Sequence, residues 1–217
     1  MTIPQGKGLI VLAAAIVVVN GFFPAVWILL TSLKSEAELV SKPITWWPHD
    51  PTLANYVQAF TDQPLLRYLG NSFAVAVLST ILSLFVASLA AYAIARLNLR
   101  HRRLILTCIV ASSMFPLVTL LVPIFQTMRA LNLLNTYTAL VLPYTVLNLP
   151  VCTLVLVSFF QSIPKDLENA AMIDGCSHFA FFFRVLLPLS KAIIAVIALF
   201  YAVGYWNSYF SALIYLH

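Results

Sequence analysis

Between Ser162 and Pro188 the sequence reads SIPKDLENAAMIDGCSHFAFFFRVLLP, and every Asp, Glu, Lys or Arg after Arg129 falls inside it except Lys191. Pro164 suits the first turn of a helix, where its missing N–H costs nothing. Asp166 and Glu168 then lie near the positive end of the helix dipole. Leu167, Ala170, Ala171 and Asp174 fall on one face at helical spacing, and the two alanines leave that face shallow. Gly175 fits the left-handed residue that ends many helices, and Ser177 is placed to cap the next segment. Phe179, Phe181, Phe182 and Phe183 add aromatic bulk before Pro188. Carboxylates, the Asn169 amide and a shallow apolar floor make a surface for docking a soluble partner. A helix lying on lipid is the plainer alternative.

No other chemistry is encoded at a comparable spacing. The six glycines are scattered and no G-x-x-x-x-G-K-[ST] loop is present, so no phosphate cradle is expected. His49, His101, His178 and His217 lie far apart, and Cys108, Cys152 and Cys176 have neither metal-ligand spacing nor a disulfide framework. No cofactor or metal site is expected in this chain, and no nucleophile–base pair suggests an enzyme. The long apolar segments hold no acidic residue, whereas ion-coupled pumps keep intramembrane charges for their relays. If the protein moves a solute uphill, another chain must bind ATP and Mg and hydrolyse the nucleotide.

The elements that position this stretch follow from composition. The chain has 217 residues, 62% hydrophobic and only 9% charged, against about 25% charged in soluble domains. It is a multi-pass membrane protein, with the lipid bilayer as its main partner. Charge-free windows run over 8–33, 68–95, 104–128, 130–164 and 192–217, and a spanning helix needs about 20 apolar residues. Five helices are read, at roughly 8–33, 69–96, 104–128, 138–160 and 188–213. With Lys7 on the cytosolic side, Arg96, Arg100, Arg102, Arg103, Lys165, Arg184 and Lys191 are also inside. Lys34, Lys42, Arg67 and Arg129 are outside. This is the positive-inside pattern, so the net charge of +5 reports orientation and not nucleic acid.

Residues 1–68 read as a first helix with an extracytoplasmic loop, and 69–217 as one core bundle containing the cytosolic loop 162–188. The prolines of residues 34–67 deny that loop a long helix. Trp46 and Trp47 suit an interfacial aromatic belt or a surface for an extracytoplasmic partner. Ser79, Ser83, Ala87, Ala90 and Ala91 form a small-residue face that lets helices approach closely. Pro116 and Pro123 break the third helix twice, as packing kinks or as the wall of a pathway. Asn148, beside Tyr144 and before Pro150, and Tyr205, Trp206 and Asn207 complete a candidate translocation path. Interhelical hydrogen bonding and interface anchoring are the alternatives.

The stretch at 162–188 resembles the EAA loop of ABC-transporter permeases: Glu-Ala-Ala, three residues, Gly, nine residues, then aliphatic-x-Leu-Pro. Ala170-Ala171, Gly175, Val185, Leu187 and Pro188 fall in register. Ile163-Pro164, Leu167, Ile173-Asp174, Pro51-Thr52-Leu53, Asn55-Tyr56, Asn71-Ser72, Ala91-Tyr92, Leu133 to Thr136 and Phe159-Phe160 extend the likeness. So do Pro116, Pro123 and Trp206-Asn207, all of the carbohydrate-import, maltose-permease second-subunit kind. The resemblance implies an all-α transmembrane bundle of the type I ABC importer kind in a bacterial-type inner membrane. It implies two ATPase subunits, a second permease subunit and an extracytoplasmic solute-binding protein. Leu167, Glu168, Asn169, Ala170, Ala171, Asp174 and Gly175 would form the coupling helix gripped by an ATPase. Two departures stand. The family's glutamate before Ala-Ala is Asn169, with Glu168 one position earlier. The family also has six helices where five are read, which implies a truncated C-terminus or a bundle that closes differently. A sugar importer is the leading reading. A non-transporting scaffold that docks a soluble protein, and a permease for a non-sugar solute, are the alternatives.

Overall fold

The computed structural model describes residues 5–215. The Lys7 side chain and His217 lie outside them. The chain forms two compact units, Met1–Leu69 and Gly70–His217. All regular structure among the described residues is helical.

The first unit holds α1 (Gln5–Ser32), α2 (Glu36–Leu39) and α3 (Ala54–Thr61). Helix α1 is apolar on every side, and most of its side chains are exposed, as suits a lipid-facing helix. Its C-terminal carbonyls are capped from the loop: Asn55 Nδ2 donates to Ser32 O at 2.9 Å and Lys34 O at 2.7 Å. Lys34 is buried, with its amine donating to the Thr45 carbonyl and lying 5.1 Å over the Trp27 ring. Trp46 packs on Trp27 at 5.3 Å, and Trp47 stays exposed. Around the Glu38 carboxylate, Thr45 Oγ1 donates at 2.6 Å and the His49 N–H at 3.2 Å, while His49 Nδ1 lies 3.0 Å away.

These partners, the Thr45 hydroxyl first and the His49 side chain next, hold the Glu38 carboxyl below the usual glutamate range. Because the folded value is depressed, the loop's stabilisation is present above the unfolded value of about 4.3 and is lost as pH falls through the lower folded value. Acidification below about pH 4 is therefore expected to loosen Trp46 from Trp27, seen as a tryptophan fluorescence change that Glu38→Gln removes.

The second unit is built on α4 (Leu65–Arg96), which begins in the first, and on α7 (Thr138–Ser162). The buried face of α4 is small: Ser79, Ser83, Ala87 and Ala91 are completely enclosed and Ala90 is half-buried. Between these helices lie α5 (Arg102–Ser113) and α6 (Leu117–Ala130). The expected single helix over 104–128 is thus two, bent by more than 40° at the break before Pro116. Pro116 has no N–H to continue α5, and it pushes Phe115 out of the helical region. Pro123 makes no second break and lies inside α6. Asn132 and Asn135 take positive φ of 55° and 61° in the turn to α7, a backbone that Asn tolerates well.

After α7 come α8 (Lys165–Ile173), α9 (His178–Phe181), a π-helical turn (Phe182–Leu186), α10 (Leu187–Leu189), α11 (Lys191–Trp206) and α12 (Tyr209–Tyr215). The expected helix over 188–213 is likewise interrupted. Pro188 cannot donate to the Arg184 carbonyl, and the ladder widens to the π-turn just before it, with Leu187 N–H reaching Phe182 O. The chain bends by 74° between His178–Leu189 and Lys191–Trp206. At that corner the buried Ser190 hydroxyl donates back to Leu186 O at 2.7 Å, a bond that bends helices. A further break follows Trp206, where Asn207 Nδ2 donates to Val203 O at 2.9 Å. By length and composition three helices among the described residues are fit to cross a membrane, or five with each bent pair taken as one span.

Candidate functional site

Helix α8 has two distinct faces. Asp166, Leu167, Asn169, Ala170, Ile173 and Asp174 are exposed, with Ile173 85% accessible. Glu168, Ala171 and Met172 turn towards the bundle, and the last two pack against its core. The shared face expected for Leu167, Ala170, Ala171 and Asp174 is therefore split, because Ala171 follows the inward i, i+3 spacing of Glu168. The helix stops cleanly. Gly175 has φ +82°, its N–H donates to Met172 O at 3.1 Å, and Cys176 N–H donates to Ala171 O at 2.9 Å. That bond pair is a Schellman cap. Ser177 then caps α9, its hydroxyl accepting from Ala180 N–H at 3.1 Å.

A Cβ at Gly175 would meet nothing within 4 Å, so substitution there costs backbone conformation alone. Gly175→Ala is expected to lose about 1–2 kcal/mol of local stability. Amide exchange at Cys176, measured by mass spectrometry, should accelerate by about 5- to 30-fold.

Behind α8 the end of α4 supplies a cation. Arg96 Nη2 donates to Phe160 O at 2.6 Å and Ile163 O at 2.7 Å, at the end of α7. Arg96 Nη1 lies 3.5 Å from Glu168 Oε2. One turn earlier, Tyr92 OH donates to His178 O at 3.1 Å.

Towards the other end of the bundle lies a cavity of about 1040 Å³, open on one side, between α5, α6, α7, α11 and α12. Tyr144, Asn148, Tyr201 and Tyr205 line it, opposite Ser112 and Phe115. Tyr144 and Tyr205 stack at 5.2 Å and Tyr201 and Tyr205 at 5.9 Å. The phenols are anchored: Tyr205 OH donates to Tyr144 O at 3.2 Å and lies 2.9 Å from Ser83 Oγ. Tyr201 OH donates to Asn148 O at 3.2 Å, and Tyr144 OH to Ser208 O at 3.1 Å. Stacked on one another and buried, the three tyrosines stiffen the wall, while the exposed Phe115 and Phe200 rings with Asn148 and Ser112 suit the faces and edges of a polar ring compound.

A bacterial ABC transporter involved in the import of the acidic polysaccharide alginate has the same fold, with a TM-score of 0.84 at 23% identity over 100% of this chain and 78% of that one. Residues 83–216 match the family described as binding-protein-dependent transport system inner membrane component. This chain belongs to that permease family.

The permease is 62% identical over 209 residues to the sulfoquinovosyl glycerol transport system permease protein SmoH of Agrobacterium fabrum, covering 96% of this chain and 73% of that protein. It is 38% identical to protein LplC of Bacillus subtilis, covering 89% and 64%. It is 34% identical to the trehalose/maltose transport system permease protein MalG of Thermococcus litoralis, covering 95% and 74%. The permease thus spans about two thirds to three quarters of the length of these relatives.

Within the permease, Tyr144 and Asn148 line the cavity, whereas Pro116, Pro123, Trp206 and Asn207 are not among its lining residues. Asn148 Nδ2 is engaged, donating to Tyr144 O at 2.9 Å. Two groups escape a reading by residue type. Tyr201 is signalled only by its i, i+4 spacing to Tyr205 on α11. Arg96 reads as one more inside cation, although it stands four residues after Tyr92 at the end of the charge-free window 68–95.

Proposed function

We propose that this chain is a permease subunit of an ATP-driven, binding-protein-dependent importer for a glycoside or oligosaccharide. The exposed face of α8, backed by Glu168, Ala171 and Met172, carries the reading: it is a rigid projection shaped for a partner. In the assembly two ATPase subunits hold ATP and Mg, and each grips a coupling helix such as α8. A second permease subunit completes the path, and an extracytoplasmic protein delivers the solute. The N-terminus and α8 then lie on the cytosolic side, in keeping with the distribution of Lys and Arg. Transport proceeds by alternating access, driven by the different contacts of the two states with nucleotide and solute.

The cavity supports a sugar. The exposed Phe115 and Phe200 rings in its wall can stack on a pyranose, and Asn148 and Ser112 can meet hydroxyls. Kinship to SmoH supports a sulfoquinovosyl glycerol-like solute. The assignment is tested by co-expressing the chain with an ABC ATPase and a second permease subunit, then reconstituting the complex. Hydrolysis of ATP should rise several-fold with binding protein loaded with sulfoquinovosyl glycerol, together with uptake of the labelled glycoside. Co-purification of an ATPase without any solute response would favour the scaffold reading instead.

A further inference from the structure

The geometry points to Arg96 as a positioning residue that ties the docking helix α8 to the bundle, with Glu168 as its partner. This rests on the docking role proposed for α8. The Arg96 side chain is 1% exposed and that of Glu168 12%, so the pair lies inside the protein and not on the face offered to an ATPase. One guanidinium nitrogen holds the Phe160 and Ile163 carbonyls, and the other faces the Glu168 carboxylate, whose second oxygen lies 3.7 Å from His178 Nδ1. The planar fork of Arg supplies both directions at once, which the single nitrogen of Lys cannot. Tyr92 adds a second tie through His178 O, with its ring 5.2 Å from Phe182.

Helix α8 hangs on two short connections, at Ile163-Pro164 and at Asp174 to Ser177. Without a lateral tie, a push on α8 would be absorbed by rotation in those connections. With the tie, the push arrives at the ends of α4 and α7 together. Helix α4 then carries it as a rigid body, since its enclosed small residues leave no room for local slippage. Ser83, about 20 Å along the helix from Arg96, meets the Tyr205 hydroxyl at 2.9 Å. Glu168, Arg96, α4, Ser83 and Tyr205 thus form a continuous path from the docking helix to the cavity wall.

The test uses the full complex with the wild-type chain, E168Q, R96K and the R96K/E168Q double variant, comparing yield, basal ATP hydrolysis and its stimulation by binding protein loaded with sulfoquinovosyl glycerol. The expected result, read per assembled complex and relative to each variant's own basal hydrolysis, is stimulation reduced at least about ten-fold in each single variant. The double variant should be no worse than R96K, because both changes cut the same tie. Stimulation retained within about two-fold in either single variant overturns the proposal, as does a loss that merely follows complex yield. If the wild-type complex shows no solute response, the proposed function falls while the tie is judged separately. Spin labels at L97C and I173C, on the full chain with native cysteines replaced by serine, should give one narrow distance that E168Q broadens. An unchanged distribution overturns the tie.

Discussion

Replacing Ala170 by tryptophan is expected to lower solute uptake by at least about 100-fold while leaving the permease folded. Ala170 is exposed, between Leu167 and Ile173 on the outward face of α8. Nothing within the chain needs its small size, and Trp in place of Ala costs a helix only about 0.5 kcal/mol. In the proposed complex that face enters a cleft of the ATPase. An indole there overfills a packed contact by about 3 kcal/mol, which is about 100-fold in binding. Co-purification of the ATPase should fall with uptake, and Ala170→Ser should retain both. Ala171→Trp differs in kind. Ala171 packs on the bundle, so its substitution should lower the stability of the isolated chain as well. Uptake and co-purification within about two-fold of wild type for Ala170→Trp would remove the docking role from α8.

The spans are legible in the sequence because lipid tolerates so few charges. The charge-free windows locate α1 and α4 to within a few residues, and the polar turn over 131–137 trims the fourth window to α7. The packed face of α4 is legible for a related reason: in lipid, small residues at helical spacing mark close approach. Gly175 and Ser177 announce their caps through backbone rules that depend on local sequence alone. The bends at Ser190 and Asn207 are not legible, since their back-bonds form only once the helix exists. Pro123 shows the converse. A proline read as a break is accommodated within α6, which simply continues past it. The inward direction of Glu168 is hidden for another reason: its tie is set by Arg96, which also grips two backbone carbonyls of a different helix. A residue-type pattern cannot display main-chain acceptors 64 and 67 positions away. The same holds for Tyr205, whose partner Ser83 is 122 residues distant.

Arg96→Leu is expected to destabilise the chain by about 3–5 kcal/mol, the cost of removing one partner from a buried ion pair. Two losses combine. The Glu168 carboxylate, at 12% exposure, loses its guanidinium and keeps only His178 Nδ1, 3.7 Å from its other oxygen, and the Phe160 and Ile163 carbonyls lose their donor. An unpaired buried acceptor costs about 1–3 kcal/mol, so the carbonyls alone make a measurable share. The double variant Arg96→Leu/Glu168→Leu separates the two. It removes the stranded carboxylate but leaves the carbonyls unmatched, and replacing a buried pair by apolar residues is often neutral in itself. Its stability should therefore lie between wild type and the single variant. The measurement is reversible unfolding of the purified chain in mixed micelles. A single-variant loss below about 1 kcal/mol would mean that the pair is effectively solvated and holds α8 no more firmly than a surface salt bridge.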